Sequence, residues 1–417
     1  MSSSTIRVAW RNLGRNRRRT LLALAAIVLG QLTLVFVNCM MAGLYDDMFR
    51  TVTGPLVGHV QIHHGDWREE RATDLYVDDL TKVTGEIRAL PGVTSVSPRI
   101  YSAVLSVSGE KTDEPAMAEP AMIVGVDVSV EARKGGFLED LGEEELPGGG
   151  GVVLGKVLAN RLQLKPGQSI AVIGQDADGF PASDLFTVRA IVSGKVDVVK
   201  TMGVVMSVGD AGEFLAMPDQ AHEIVVQGGD ADEAEDLSER IAALPSLAGV
   251  EVLPWKEAAP LLAQMLGMKD VFDLIFIAIV FVAAAAGIAN TATMSTFERT
   301  REFGMLLAVG ARPGRIINMV LVESVALGLV GVAVGSVLGT AAVLITSHTG
   351  IDYAMLATNT VEDFSFKGLS FSYMIYPKFE LRHVIFGIVA VTVTSVIASV
   401  WPAALAARLE PVEAMRS

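Results

Sequence analysis

The stretch VFDLIFIAIVFVAAAAGIANTAT, residues 271–293, carries a single charged residue, Asp273, near its start. As a helix it is long enough to cross the hydrocarbon core of a bilayer, roughly 30 Å that takes about 20 residues. Three more runs share its character: residues 20–43, 316–346 and 384–404. The run at 316–346 is interrupted only by Glu323, close to one end. A soluble chain of 417 residues would form two or three domains. These four runs instead predict a membrane protein with four transmembrane α-helices and a large α+β domain inserted between helices 1 and 2.

Orientation follows from the arginines. Arg7, Arg11, Arg15, Arg17, Arg18 and Arg19 precede the first span, Arg299, Arg301, Arg312 and Arg315 separate the second from the third, and Arg408 and Arg416 follow the fourth. Both termini are therefore expected in the cytoplasm and the large insertion outside. The expected boundaries are a basic segment (1–19), span one (20–45), an exported domain (46–269), span two (270–297) and a cytoplasmic loop (298–315). Span three (316–347), a second outer loop (348–382), span four (383–405) and a tail (406–417) complete the chain. Residues 46–270 hold 18 Lys+Arg against 37 Asp+Glu, so the acidity behind the overall charge of −14 belongs to the exported domain. That balance argues against nucleic acid as a partner, which calls for a basic face.

Residues 150–157, GGVVLGKV, read G-x-x-x-x-G-K, the opening of a phosphate-binding loop. Such a loop needs a Ser or Thr after the Lys to hold Mg²⁺, and the position is Val157. The motif also falls on the side away from cytoplasmic ATP, so it is a decoy and Lys156 is expected to begin a surface helix. The arginines before LLALAAIVLG resemble a secretory signal, but the apolar run is too long and has no small-x-small cleavage site, which predicts an uncleaved anchor. Cys39 is the one cysteine, which excludes an intramolecular disulfide.

The exported domain repeats a pattern. HVQIHHG, DDLTKVTGEIRALPGV and TSVSPRI are echoed by EIVVQGG, DADEAEDLSERIAALPSL and AGVEVLP, each a strand, an amphipathic helix, a Leu-Pro stop and a strand. Ile87 and Leu90 mirror Ile241 and Leu244 at helical spacing. The two units, 58–109 and 222–255, are expected to share one mixed sheet, with a β-rich insert at 111–221 that includes MIVGVDV, SIAVIG, LFTVRAIVSG and GVVMSVG. LGKVLANRLQLKPGQSI reads as a short helix, a Pro-Gly turn and a strand. His59 and His63 share a strand face, but no carboxylate or thiol pattern completes a metal site, so no metal is expected.

In the third span Gly328, Gly331, Gly335 and Gly339 recur three, four and four apart, which puts them on one helix face where another backbone can approach closely. No ladder of acids or bases suggests an ion-coupled transporter, and Glu323 is expected to pair with Arg299, Arg301 or Arg315. The loop STFERTREFGMLLAVGARPGRIINMVLVES predicts that the second-span helix continues through Glu298, Arg299, Arg301 and Glu302. Gly304 should loosen it, and 305–309 should form a short apolar turn before Gly310, Pro313 and Gly314 break the chain. An apolar element held between charged stalks implies a partner that supplies a groove.

ERTREFGMLLAVGAR resembles the E-R-x-R-E-[IF]-G…A-x-G-A signature of FtsX-like ABC permeases, which include lipoprotein-release and macrolide-exporter types. AWRNLGRNRRRT, WPAALAARLEPVEAMR and LGKVLANRLQLKPGQ are similar to further segments of that family. The resemblance implies a non-catalytic permease of the bacterial inner membrane. It would work with a dimer of ATPase subunits, which bind ATP and Mg, and with a second permease copy or paralogue; no cofactor is expected in this chain. Glu298, Arg299, Arg301, Glu302, Gly304, Met305, Leu306, Leu307, Gly310, Ala311 and Arg312 would form the coupling helix on which the ATPase docks. Candidate substrate-facing residues are Phe36, Met40 and Met41 on span one and Phe272 and Phe276 on span two. With about 19 residues before the first span, the subtype with an ATPase fused there is not expected. The stretch MMAGLYDDMFRTVTGPLVGHVQIH is similar to the span-one exit of release permeases, which implies lipoprotein extraction and a periplasmic lipoprotein chaperone or adaptor. Export of peptides or hydrophobic compounds, and signalling to periplasmic hydrolases, are the alternatives.

Overall fold

The computed structural model describes residues 17–108, 116–133, 135–193, 196–352, 364–366, 369–371 and 374–408. Arg7, Arg11, Arg15, Lys111, Pro115, residues 353–363, 367–368 and 372–373 of the second outer loop, and the tail with Arg416 lie outside the described residues. The chain divides into two compact units, one built on the long helices and one on the segment between the first two.

Among the described residues, four helices are long and apolar enough to cross a membrane. They are span one (Arg17–Val52), span two (Pro260–Glu298), span three (Pro313–Thr349) and span four (Leu381–Ala407). The first two overrun the expected boundaries at 46 and 269. Asp46, Asp47, Lys269 and Asp270 end the apolar stretches, but charge does not interrupt the backbone ladder, so helicity continues where hydropathy stops. Ala23, Ile27, Ala284, Ile288, Leu327, Val332 and Val391 form a buried cluster drawn from all four helices.

Span three's glycines lie close against atoms of neighbouring helices. A Cβ at Gly335 would lie 2.7 Å from Val28 O, one at Gly331 would lie 2.6 Å from Ile27 Cγ2, and one at Gly339 would lie 3.1 Å from Val35 Cβ. A Cβ at Gly328 would collide with Ser395 Oγ of span four. Beside this seam Gln31, fully buried, donates to Ser336 Oγ at 3.1 Å.

In the interspan domain, β1 (Val60–His64), α1 (Leu80–Arg88) and β2 (Val93–Ser108) form the first unit of the echo. The insert supplies β3 (Ala118–Val126), β4 (Gly151–Gly155), α2 (Lys156–Arg161), β5 (Ser169–Gln175), β6 (Pro181–Val192) and β7 (Gly203–Ser207). The second unit is β8 (Glu223–Gly228), α3 (Ala234–Ala242) and β9 (Val250–Pro254). Val83 and Ile87 of α1 and Leu237 and Ile241 of α3 are buried against the strands, as their i, i+4 spacing demands.

The core strands run in the order β2-β8-β1-β9, and every pair among them is antiparallel. The expectation of a mixed core sheet is therefore corrected. Each β-α-β crossover skips one strand position, and the other unit fills the gap, the split arrangement in which the two units need each other. Among the described residues, parallel pairing occurs only in the insert, β3 with β7 and β4 with β6. The insert is not a separate sheet. It continues from the long strand β2, and because β3 returns to pair with β2, six strands close into a ring.

The phosphate-loop lookalike is part of that ring. Residues 151–155 are strand β4, buried throughout, and exposed Lys156 starts α2. No loop lies between the strand and the lysine to wrap a phosphate. Gly155 is small because the backbone carbonyl of Val199 sits where its Cβ would be.

Charge is also buried in this domain. The Arg99 guanidinium donates to Glu131 Oε1 at 3.0 Å and to Leu56 O at 2.8 Å, and Arg99, Glu131 and Glu223 are all buried. Burial by itself would lower the Arg99 pKa, but neighbouring Tyr101, Glu131 and Glu223 raise it, which keeps the guanidinium charged. His222 stacks on Trp67 with centroids 4.3 Å apart, accepts from Tyr101 N at 3.0 Å and bonds Thr73 O at 3.0 Å. Both contacts suit a neutral ring protonated at Nε2, and burial pushes its pKa down from 6.5 to about 4. Unfolding thus takes up a proton between those values. His222 contributes stability that is full above pH 6.5 and is lost as pH falls toward 4, about 3 kcal/mol at the acid end. Thermal unfolding of the full chain in detergent should show a Tm that drops from pH 7 to pH 5, and His222→Asn should flatten that slope. An equally steep slope in the variant would assign the effect to other groups.

Candidate coupling element between the second and third spans

The span-two helix stops at Glu298, where Arg299 departs from helical geometry (φ −111°, ψ 14°), and a new helix runs over Thr300–Ala308. This corrects the expected order. The break falls at Arg299, while Gly304 lies buried inside the short helix, where a glycine costs only about 1 kcal/mol. The true stop is Gly310 at φ +92°. Its N–H donates to Leu307 O at 3.0 Å and that of Ala311 donates to Leu306 O at 3.0 Å, which satisfies carbonyls the helix end would leave bare. Arg312 then holds the N-cap position of span three without a side-chain cap, and Pro313 takes the first helical position, where its missing N–H costs nothing.

Arg299 explains the break. Its side chain turns inward, donating to Glu302 Oε2 and Glu323 Oε2, both at 2.9 Å, with the guanidinium 4.9 Å above the Phe303 ring. Ser295 Oγ also reaches Glu323 at 3.4 Å. Of the three arginines considered for Glu323, Arg299 is the partner. These contacts fasten the end of span two, the short helix and span three at one partly buried point, and charge-assisted bonds of this kind are stronger and more directional than neutral ones. The sequence signal for this hub is the E-R-x-R-E spacing, although nothing local shows that Arg299 rather than Arg301 turns in.

The short helix is apolar on two sides, one buried and one exposed. Phe303 is 1% exposed and joins a cluster with Ala292, Ile316, Val320, Ala403 and Ala406, against which Leu307 packs. Met305 and Leu306, with Val309 at the C-cap, are instead 49%, 41% and 90% exposed. Leu307 is therefore an inward anchor, not part of the free surface. Arg301 and Arg312 stand exposed beside that surface.

The candidate substrate-facing residues differ in exposure. Phe36 packs against the buried cluster of Leu34, Val35, Cys39 and Val343, Met40, Met41 and Phe276 are half-buried, and Phe272 is 41% exposed. Two of the histidines hold backbone: His59 Nδ1 accepts from Gly228 N at 3.0 Å, and buried His63 Nδ1 lies 2.9 Å from His64 O.

Two family models match this chain. One describes the FtsX-like permease C-terminal region and covers residues 274–411, which include the coupling element. The other describes a MacB-like periplasmic core domain and covers residues 20–244. A macrolide export ATP-binding/permease protein MacB of Hahella chejuensis is 24% identical over 436 residues, covering 99% of this chain and 60% of that protein. An uncharacterized ABC transporter permease of Methanocaldococcus jannaschii is 30% identical over 190 residues, 44% of this chain and 43% of that one. The chain thus spans less than two thirds of the length of either relative. Among solved structures, the periplasmic region of MacB from Actinobacillus actinomycetemcomitans is similar at 15% identity with a TM-score of 0.35, covering 52% of this chain and 95% of that one.

Proposed function

This chain belongs to the FtsX-like permeases and carries a MacB-like periplasmic core domain, and from that membership we propose that it is the membrane subunit of an ABC transporter whose ATP hydrolysis is performed by a separate ATPase subunit. The observation that carries the reading is the second apolar face of the short helix. Its inner face is already seated on the bundle, so Met305, Leu306 and Val309 need a groove from another protein. ATP and Mg belong to that partner in this reading, a second permease copy or paralogue completes the complex, and both termini lie in the cytoplasm.

For cargo we favour lipoproteins drawn from the outer leaflet of the bacterial inner membrane and handed to a periplasmic chaperone or adaptor. The resemblance of residues 40–63 to the span-one exit of release permeases supports this. Export of a hydrophobic compound is the second reading, supported by the name of the Hahella relative, which aligns with 99% of this chain. Purification from native membranes followed by identification of bound subunits separates them: a chaperone and acylated protein favour release, whereas an outer-membrane channel favours export.

The chain alone should show no ATPase activity, and Lys156→Ala should leave the assembled complex at wild-type rate, because Lys156 is an exposed helix-start residue of the interspan domain. Nucleotide binding by the isolated chain that is lost with Lys156→Ala would overturn the assignment of hydrolysis to a partner.

A further inference from the structure

A five-residue strap at 376–380 leads into span four and lies in the unit of long helices. Its backbone is pressed into span one: Lys378 N donates to Cys39 O at 2.9 Å. The strap carbonyl of Tyr376 occupies the place of a Cβ at Gly43, with Pro377 Cα 3.0 Å from it, so only glycine admits the strap there. Lys378 Nζ reaches Asp46 at 2.6 Å. The same short segment reaches span two. Lys269 Nζ lies 3.7 Å from Glu380, and Asp273 lies 4.0 Å from Arg382, which also bonds Glu380. His383 Nε2 stands 3.3 Å from the same carboxylate.

Glu380 is therefore the common acceptor of an ionic knot, and the chain gathered around it comes from three spans. The Lys269, Asp273 and Glu380 side chains are 18%, 14% and 24% exposed, so solvent and salt screen these pairs less than surface pairs. Burial works against the Glu380 charge, but Lys269 and Arg382 outweigh it and hold the carboxyl below its ordinary value. The knot sits at the C-terminal part of span one and the N-terminal part of span two, the ends that lead into and out of the interspan domain.

We propose that residues 376–382 form a releasable clasp that ties spans one and two to span four in the resting protein and that must open when the spans move. This rests on the reading that a partner ATPase drives that motion. A backbone strap in a glycine notch is specific in position, while ion pairs of moderate length separate without breaking packed apolar surface. The clasp therefore holds the resting arrangement and slows the first movement of each cycle.

The test uses the full chain with its co-purified ATPase in lipid nanodiscs. Glu380→Gln should raise basal ATP hydrolysis several-fold, because the knot loses the charge that holds Lys269 and Arg382. Lys269→Cys with Glu380→Cys, joined by a short bis-methanethiosulfonate reagent that reductant cleaves, should cut hydrolysis at least tenfold, with recovery on cleavage; native Cys39 is fully buried and each single-cysteine chain is a control. The crosslink should also form in high yield in the chain without ATPase. Poor crosslinking there, unchanged hydrolysis after crosslinking, or a wild-type basal rate in folded Glu380→Gln would each overturn the clasp. Failure of the transporter reading looks different: the wild-type chain would purify with no ATPase at all.

Discussion

Leu306→Asp combined with Val309→Asp should release the ATPase from the complex while leaving the chain folded. Both side chains are exposed, Leu306 on the short helix and Val309 at its C-cap, whereas Phe303 and Leu307 pack on the bundle. Burying an aliphatic side chain of this size in a groove is worth roughly 1.5–3 kcal/mol, and each new carboxylate would have to be desolvated to dock. The loss of two anchors should weaken docking on the order of a hundredfold or more. Pull-down of the ATPase reads the effect, and the detergent Tm of the chain alone checks the fold. Leu307→Asp should behave oppositely in the control, lowering the Tm because Leu307 packs on the bundle's own cluster. Full ATPase recovery with the double variant, at unchanged Tm, would remove the physical support for a docking helix.

The contrast between Leu306 and Leu307 shows what a sequence can and cannot carry. The apolar run and the Gly-Ala-Arg-Pro stop are local, so the presence of a short element between spans two and three was legible. Which leucine faces out was not, because the phase of the helix depends on Arg299, whose direction is set by Glu323 on another span. The four spans were legible for the same local reason, since hydropathy is summed residue by residue. In the interspan domain, α1 and α3 could be read from their spacing, but strand order could not. Pairing of β3 with β2 and interleaving of the two β-α-β units are long-range choices made by register. Strand β4 was masked by its own glycines, which suggested a loop, although Gly155 is there for close packing beneath Val199. The clasp was invisible because its notch, Gly43, lies in a different span from the strap that fills it.

Gly335→Leu should cost the protein its span-one to span-three seam. A Cβ at position 335 would stand 2.7 Å from both Val28 O and Gln31 Cβ, closer than real contacts allow, and one of the obstructing atoms is backbone. Span one would have to retreat, since no rotamer relieves a clash at Cβ. Overpacking of this kind costs about 1–3 kcal/mol. Retreat also parts Gln31 from Ser336, its hydrogen-bond partner at 3.1 Å, and leaves a fully buried amide with less satisfaction than before. An orphaned buried donor adds about 1–3 kcal/mol. The sum is a large part of a typical folding free energy of roughly 5–15 kcal/mol, so yield and Tm in detergent should both fall sharply. Gly287→Leu is the matched control, because a Cβ there meets nothing within 4 Å. Leucine at 287 should lower the Tm little, and Gly335→Ala should fall between the two, since it brings the clash at Cβ without the bulk beyond it. Equal behaviour of the two leucine variants would mean that the glycine face does not set how closely these helices pack.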